Sequence, residues 1–130
     1  MNPSPRQLEC TIPVLPVRDL TRSMAFYVET LGFKLDWGGE EGSCICSVSR
    51  DGCAIMLSQR DTIGGPAWVW IGCEDESLFE TWRSNGVKVR QEPRNCPWAY
   101  EMKFEDLDEN VLWLGTEPRR DEPFEVQKSS

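Results

Sequence analysis

Ile12-Pro13-Val14-Leu15-Pro16-Val17-Arg18-Asp19-Leu20, followed after Thr21-Arg22 by Ser23-Met24-Ala25-Phe26-Tyr27-Val28-Glu29-Thr30-Leu31-Gly32-Phe33, is the stretch on which the fold turns. Its opening belongs to a run from Glu9 to Val17, bounded by prolines, that reads as a strand. Asp19 then offers a side-chain oxygen to the free N–H groups of a helix start. Leu20, Met24, Tyr27 and Leu31 recur at helical spacing, which predicts a helix to about Thr30 with one apolar stripe. Gly32 stands where the chain leaves that helix, a place that favours glycine. Phe33 to Trp37 resumes strand character and breaks at Gly38-Gly39.

Beyond it, Cys44 to Ser49 and Cys53 to Gln59 read as strands joined through Arg50-Asp51-Gly52, a strong hairpin signal. Arg60 to Pro66 reads as a loop, and the order then repeats. Ala67 to Cys73 is a strand, and Asp75 caps a helix to about Asn85 with Leu78, Phe79 and Trp82 as its apolar side. Gly86 ends it. Val87 to Gln91, Trp98 to Glu105 and Asn110 to Leu114 complete the strands, with Glu92 to Pro97 as a loop and Asp106 to Asn110 as a turn. Aligning Val17-Arg18-Asp19 with Cys73-Glu74-Asp75 brings Leu31-Gly32-Phe33 onto Gly86-Val87. The expected fold class is α+β: two tandem βαβββ modules whose mixed sheets curve into a cleft, with the helices on the outer face. A single ferredoxin-like sheet is the alternative. Residues 1–130 are read as one domain, with module one at 8–60, module two at 66–115 and a polar, mobile tail at 116–130.

The composition narrows the partners. Fourteen basic residues against twenty-two acidic ones give a net charge of −8. That balance repels nucleic acid and anionic membrane and favours cationic or neutral ligands. Met1 to Arg6 is polar and proline-rich with no apolar core behind it, so a cytoplasmic location is expected. The six cysteines, at 10, 44, 46, 53, 73 and 96, form no C-x-x-C pair and read chiefly as small buried thiols. Histidine is absent altogether.

The runs from Ile12 to Asp19 and from Ser23 to Phe33 resemble the vicinal oxygen chelate superfamily, which includes glyoxalase I, extradiol dioxygenases and the fosfomycin- and bleomycin-resistance proteins. Ala67-Trp68-Val69-Trp70-Ile71 and Pro97-Trp98-Ala99-Tyr100-Glu101-Met102-Lys103-Phe104-Glu105-Asp106, running on to Asn110, look most like the bleomycin-resistance branch. The resemblance spans Cys10 to Gly115. By motif alignment, the positions that carry metal ligands in metal-using members are here Ile12, Met56, Trp68 and Trp113. Isoleucine and tryptophan offer no lone pair, and a thioether is a poor partner for hard cations. Gln59, near a strand end, is one donor alone. The expectation is therefore no metal and no cofactor.

Strand alternation separates the two faces of each sheet. Leu15 and Val17 face the helix side. Val69, Ile71 and Cys73 oppose Trp68 and Trp70, and Leu112 and Leu114 oppose Val111 and Trp113. Both faces are apolar, so one must be covered by a partner protomer or a ligand. The candidate ligand-binding residues are Ile12, Trp37, Met56, Trp68, Trp70, Trp98 and Trp113. Stacking and ring-face attraction suit a planar, cationic molecule. Glu101 is the one weak catalytic candidate, and it reads better as a solvated edge residue. The resemblance implies a homodimeric antibiotic-binding protein that sequesters a small molecule. The alternative is a metal-independent lyase or isomerase.

Overall fold

Strand pairing divides the chain into two like halves. The computed structural model describes residues 5–125. In order, the elements are β1 (Val14–Val17), α1 (Leu20–Ala25, running on as a wider π turn over Phe26–Thr30), β2 (Lys34–Gly38), β3 (Ile45–Arg50), β4 (Cys53–Gln59), β5 (Trp68–Gly72), α2 (Ser77–Ser84), β6 (Lys88–Asn95), β7 (Tyr100–Glu105) and β8 (Val111–Thr116). They form two four-stranded sheets, ordered β1-β4-β3-β2 and β5-β8-β7-β6. β1 runs parallel to β4 and β5 parallel to β8, while the remaining neighbours are antiparallel. This is the duplicated βαβββ architecture, not one ferredoxin-like sheet.

Local chemistry explains the boundaries. Asp19 accepts from Arg22 N at 3.0 Å, and Gln59 Oε1 accepts from Leu20 N at 2.7 Å, so two free N–H groups at the start of α1 are satisfied. Gln59 is thus a helix cap. Gly32 leaves the helix with φ +83°, the left-handed region that glycine enters without strain. Asp51 and Gly52 both have positive φ, the backbone of a two-residue turn matching the twist of its strands.

Four features depart from the sequence reading, the first being that β1 begins at Val14 and not at Glu9. β6 continues to Asn95, through the expected loop, because Arg94 and Asn95 still pair with Glu101 and Tyr100. Trp98 lies in the turn between β6 and β7 and not on a strand. The segment to Glu125 is tied down: Asn95 Nδ2 donates to the Arg119 carbonyl at 2.8 Å, and Glu125 N donates to the Asn95 carbonyl at 2.8 Å. Arg119 pairs with Glu76 and lies 3.8 Å from the Tyr100 ring centroid. Residues 126–130 lie outside the described residues. Among the cysteines, Cys46 and Cys96 are buried, but Cys10, Cys44 and Cys53 are exposed, because their positions fall before β1 and at strand ends.

The helices pack on the face of the sheets opposite the open one. A single core draws on both halves, with Leu15, Val17, Tyr27, Val48 and Leu57 meeting Phe79, Trp82, Met102, Phe104 and Leu112. Each such side chain contributes on the order of 1.5–3 kcal/mol by leaving water. Polar links cross the seam: Trp82 Nε1 donates to the Leu31 carbonyl at 3.1 Å, and Tyr27 OH donates to Asp106 Oδ2 at 2.8 Å. Asn110, fully buried, donates to the Pro16 carbonyl at 2.9 Å and accepts from Ala67 N at 2.9 Å.

Burial, with the charges of Asp106 and Asp108 and the Asp106 hydrogen bond, holds the Tyr27 phenol well above its ordinary value of 10.0. The folded chain keeps this proton where the unfolded chain releases it. Stability from this group is therefore complete below about pH 10 and falls as the pH rises further. Tyr27→Phe should cost about 1–3 kcal/mol at neutral pH, by leaving Asp106 short of a donor. It should also make the alkaline loss shallower, and thermal unfolding followed between pH 8 and about 11 checks both effects.

Candidate functional site

Register places the candidate residues in rows. On the second sheet Trp70 pairs with Trp113, Trp113 with Lys103, and Lys103 with Gln91, so four open-face side chains cross the sheet in line. The matching row of the first sheet is Val14, Met56, Ser47 and Trp37. Trp37, Trp68, Trp70 and Trp98 are each about half exposed, at 47%, 49%, 48% and 50%. Together they leave a large aromatic area exposed to solvent.

The rings form a wall. Trp113 stands edge-on between two neighbours, with its centroid 5.1 Å from Trp70 and 6.2 Å from Trp68. Edge-to-face pairs of this kind add about 0.5–1.5 kcal/mol beyond area burial. The outer edge of the Trp70 ring reaches over Gly115. A methyl group built at Gly115 would sit 2.0 Å from the Trp70 ring, so only glycine admits this pose.

Glu101 stands on the same face and anchors Trp98. It is 2% exposed, which corrects its reading as a solvated edge residue: the open face at this register is covered by the side chains bonded to it. Its carboxylate accepts from Trp98 Nε1 at 2.7 Å and Gln91 Nε2 at 3.1 Å, and it pairs with Lys103 Nζ at 3.5 Å. Burial alone would raise its pKa. The hydrogen bonds from Trp98 and Gln91, the nearby Trp113 indole and the Lys103 charge outweigh that and hold it below its ordinary value. An anion so stabilised is a weak proton acceptor, and its bonds fix the Trp98 and Gln91 side chains. Trp113 Nε1 faces the same neighbourhood without reaching hydrogen-bond geometry, and it is buried with no partner.

The wall already carries cations. Lys103 Nζ lies 4.9 Å from the Trp113 centroid and 5.5 Å from that of Trp68, and Arg90 Cζ lies 5.1 Å from the Trp68 centroid. These ring faces, which were expected to attract a cationic ligand, are engaged by the protein's own charges. Sequence reasoning missed Lys103 and Arg90. The register Trp113↔Lys103 would have shown the first of them, but register is not visible before the strands are paired.

Met56 and Trp37 lie in the row of the first sheet, whereas Trp68, Trp70, Trp98 and Trp113 gather on the second half. The aromatic and cation–π contacts of the wall all come from the second half. Ile12 precedes β1 and lines a groove of about 510 Å³ with Phe33, Ile55, Val69 and Trp70. The chemistry of Ile12, Met56, Trp68 and Trp113 does not fit a divalent ion. Among the described residues no group of three or more His, Cys, Asp or Glu side chains is arranged to hold a metal. Among the described residues no helix is long and apolar enough to cross a membrane.

Comparison places this architecture. The family model for the Glyoxalase/Bleomycin resistance protein/Dioxygenase superfamily matches residues 9–114, and the chain belongs to that superfamily. Among solved structures, TnmS3, an antibiotic binding protein from Streptomyces sp. CB03234, is 26% identical with a TM-score of 0.71, over 88% of this chain and 99% of that one. TioX from Micromonospora sp. ML1 has the same fold at 17% identity and TM-score 0.72, over 83% of this chain and 98% of that one. So does the bleomycin-binding protein of the bleomycin-producing Streptomyces verticillus, solved with copper(II)-bleomycin, at 20% identity and TM-score 0.69 over 85% and 98%. No curated protein matches the sequence.

Glu101→Gln should loosen the wall, since an amide cannot accept from Trp98, Gln91 and Lys103 together. The expected signs are a loss of about 1–3 kcal/mol and a red-shifted tryptophan emission. Because the folded pKa is lowered, the contribution of Glu101 is present above the ordinary value of 4.5 and is lost as the pH falls below it. Acid unfolding followed by fluorescence should show this slope in the native chain and a flatter one in the variant.

Proposed function

We propose that this protein captures a small planar molecule against the Trp68–Trp70–Trp98–Trp113 wall and returns it unchanged, without a metal. The observation that carries this reading is the group of half-exposed indoles at Trp68, Trp70 and Trp98 around Trp113, with Trp98 held by the buried, ionised Glu101. Such a surface is preorganised for stacking and offers no activated nucleophile or base. TnmS3 is an antibiotic binding protein, and the Streptomyces verticillus relative binds bleomycin, which supports capture over chemistry.

The same reading makes the working unit a homodimer. The core occupies the helix side of both sheets, so each chain presents two open rows, one at Val14–Met56–Ser47–Trp37 and the other at Trp70–Trp113–Lys103–Gln91. Seating the first row of one copy against the second row of another covers both and encloses a cleft. Sedimentation at micromolar concentration should give a dimer, and Met56→Glu should shift it toward monomer.

Capture is tested by following tryptophan emission during titration with bleomycin and with anthraquinone-2-sulfonate. Quenching that saturates at one probe per protomer, with the probe recovered intact, is the expected result, and Trp70→Ala or Trp113→Ala should weaken it at least about tenfold. If neither probe quenches at micromolar concentration, capture is wrong. Stoichiometric divalent metal in the purified protein would overturn the metal-free part.

A further inference from the structure

We infer that the aromatic wall selects planar ligands that carry an acidic oxygen, and that Lys103 and Arg90 are the groups that read it. The inference rests on the capture reading and names the class of ligand. Two features of the open face carry it. Lys103 and Arg90 approach the Trp68 ring at 5.5 and 5.1 Å, and Lys103 also approaches the Trp113 ring at 4.9 Å, so the attraction those rings offer a cation is already taken. A cationic ligand stacked there would place like charges against one another, and this costs more as water leaves the cleft. An anionic oxygen meets the opposite balance.

The donors are only partly spent. Lys103 has three N–H groups. One reaches Gln91 Oε1 at 3.0 Å, and the contact with Glu101 is longer, at 3.5 Å. Arg90 has no carboxylate or hydrogen-bond partner among the described residues, so its five N–H groups remain for a ligand. Unmet donors on an otherwise satisfied sheet describe the complement of an oxygen-rich edge. Glu101 and Lys103 balance one another, so the net positive charge on this face comes from Arg90, with Lys103 contributing N–H donors.

The net charge of −8 points the other way at long range. Charges more than about 8 Å apart are largely screened at physiological salt, whereas contacts inside the cleft are not. The local cations therefore set the preference.

Calorimetric titration of the whole protein at about 150 mM salt with two tricycles of like size and opposite charge, anthraquinone-2-sulfonate and 9-aminoacridine, tests this. The sulfonate should bind roughly tenfold tighter than the cation. Arg90→Gln changes an exposed side chain and leaves the fold intact. It should weaken the sulfonate about fivefold without weakening the cation, and Lys103→Met, which also leaves Glu101 without its cation, should weaken the sulfonate as well. Equal affinities, a preference for the cation, or a sulfonate affinity unchanged in both variants would overturn the inference while capture stands. If neither tricycle binds and bleomycin also fails to quench, capture and the inference fall together.

Discussion

One buried carboxylate ties the two halves together. Asp106 accepts from Tyr27 OH in the first module, from Asn110 Nδ2, and from the backbone N–H groups of Asp108 and Asn110. Burial pushes its pKa up, and these hydrogen bonds offset part of the rise. Through Asn110 the same cluster reaches the Pro16 carbonyl at the end of β1 and Ala67 N at the start of β5. Both parallel pairings, β1 with β4 and β5 with β8, begin or end at this knot. Neither sheet could shift along the other without leaving several buried polar groups unpaired.

That constraint explains why the open faces can be so unusual. With the modules locked through the helix side, the opposite face need not supply cohesion and is free to carry exposed indoles. A fold that elsewhere in its superfamily can present metal ligands here presents Met56, Trp68 and Trp113 on strands of ordinary geometry. The scaffold is indifferent to which chemistry its open rows hold.

Much of the architecture was readable from the chain. Asp19, the Leu20–Leu31 stripe and Gly32 announced the first helix and its end. Asp51-Gly52 announced the hairpin, and alternation separated Val69 from Trp68 and Trp70 correctly. These are local signals, settled by neighbours a few residues away. What stayed hidden depended on distant partners. Gln59 looked like a stray donor until α1 was seen to begin beside it. Glu101 looked solvated because its sequence neighbours are polar, yet its cover comes from Gln91 on β6 and Trp98 in the turn. Arg119 sat in a polar tail whose anchor, Tyr100 with Glu76, lies far back along the chain.

Position 115 has a consequence for what the cleft can hold. The Trp70 ring rests in the space that any side chain at Gly115 would occupy. The height of the wall above the sheet is therefore set by a residue whose only contribution is to be missing a methyl group. A larger residue there would push the Trp70 indole away from the sheet. In the capture reading, the depth of the aromatic surface is thus set from beneath it, by a position that carries no side chain.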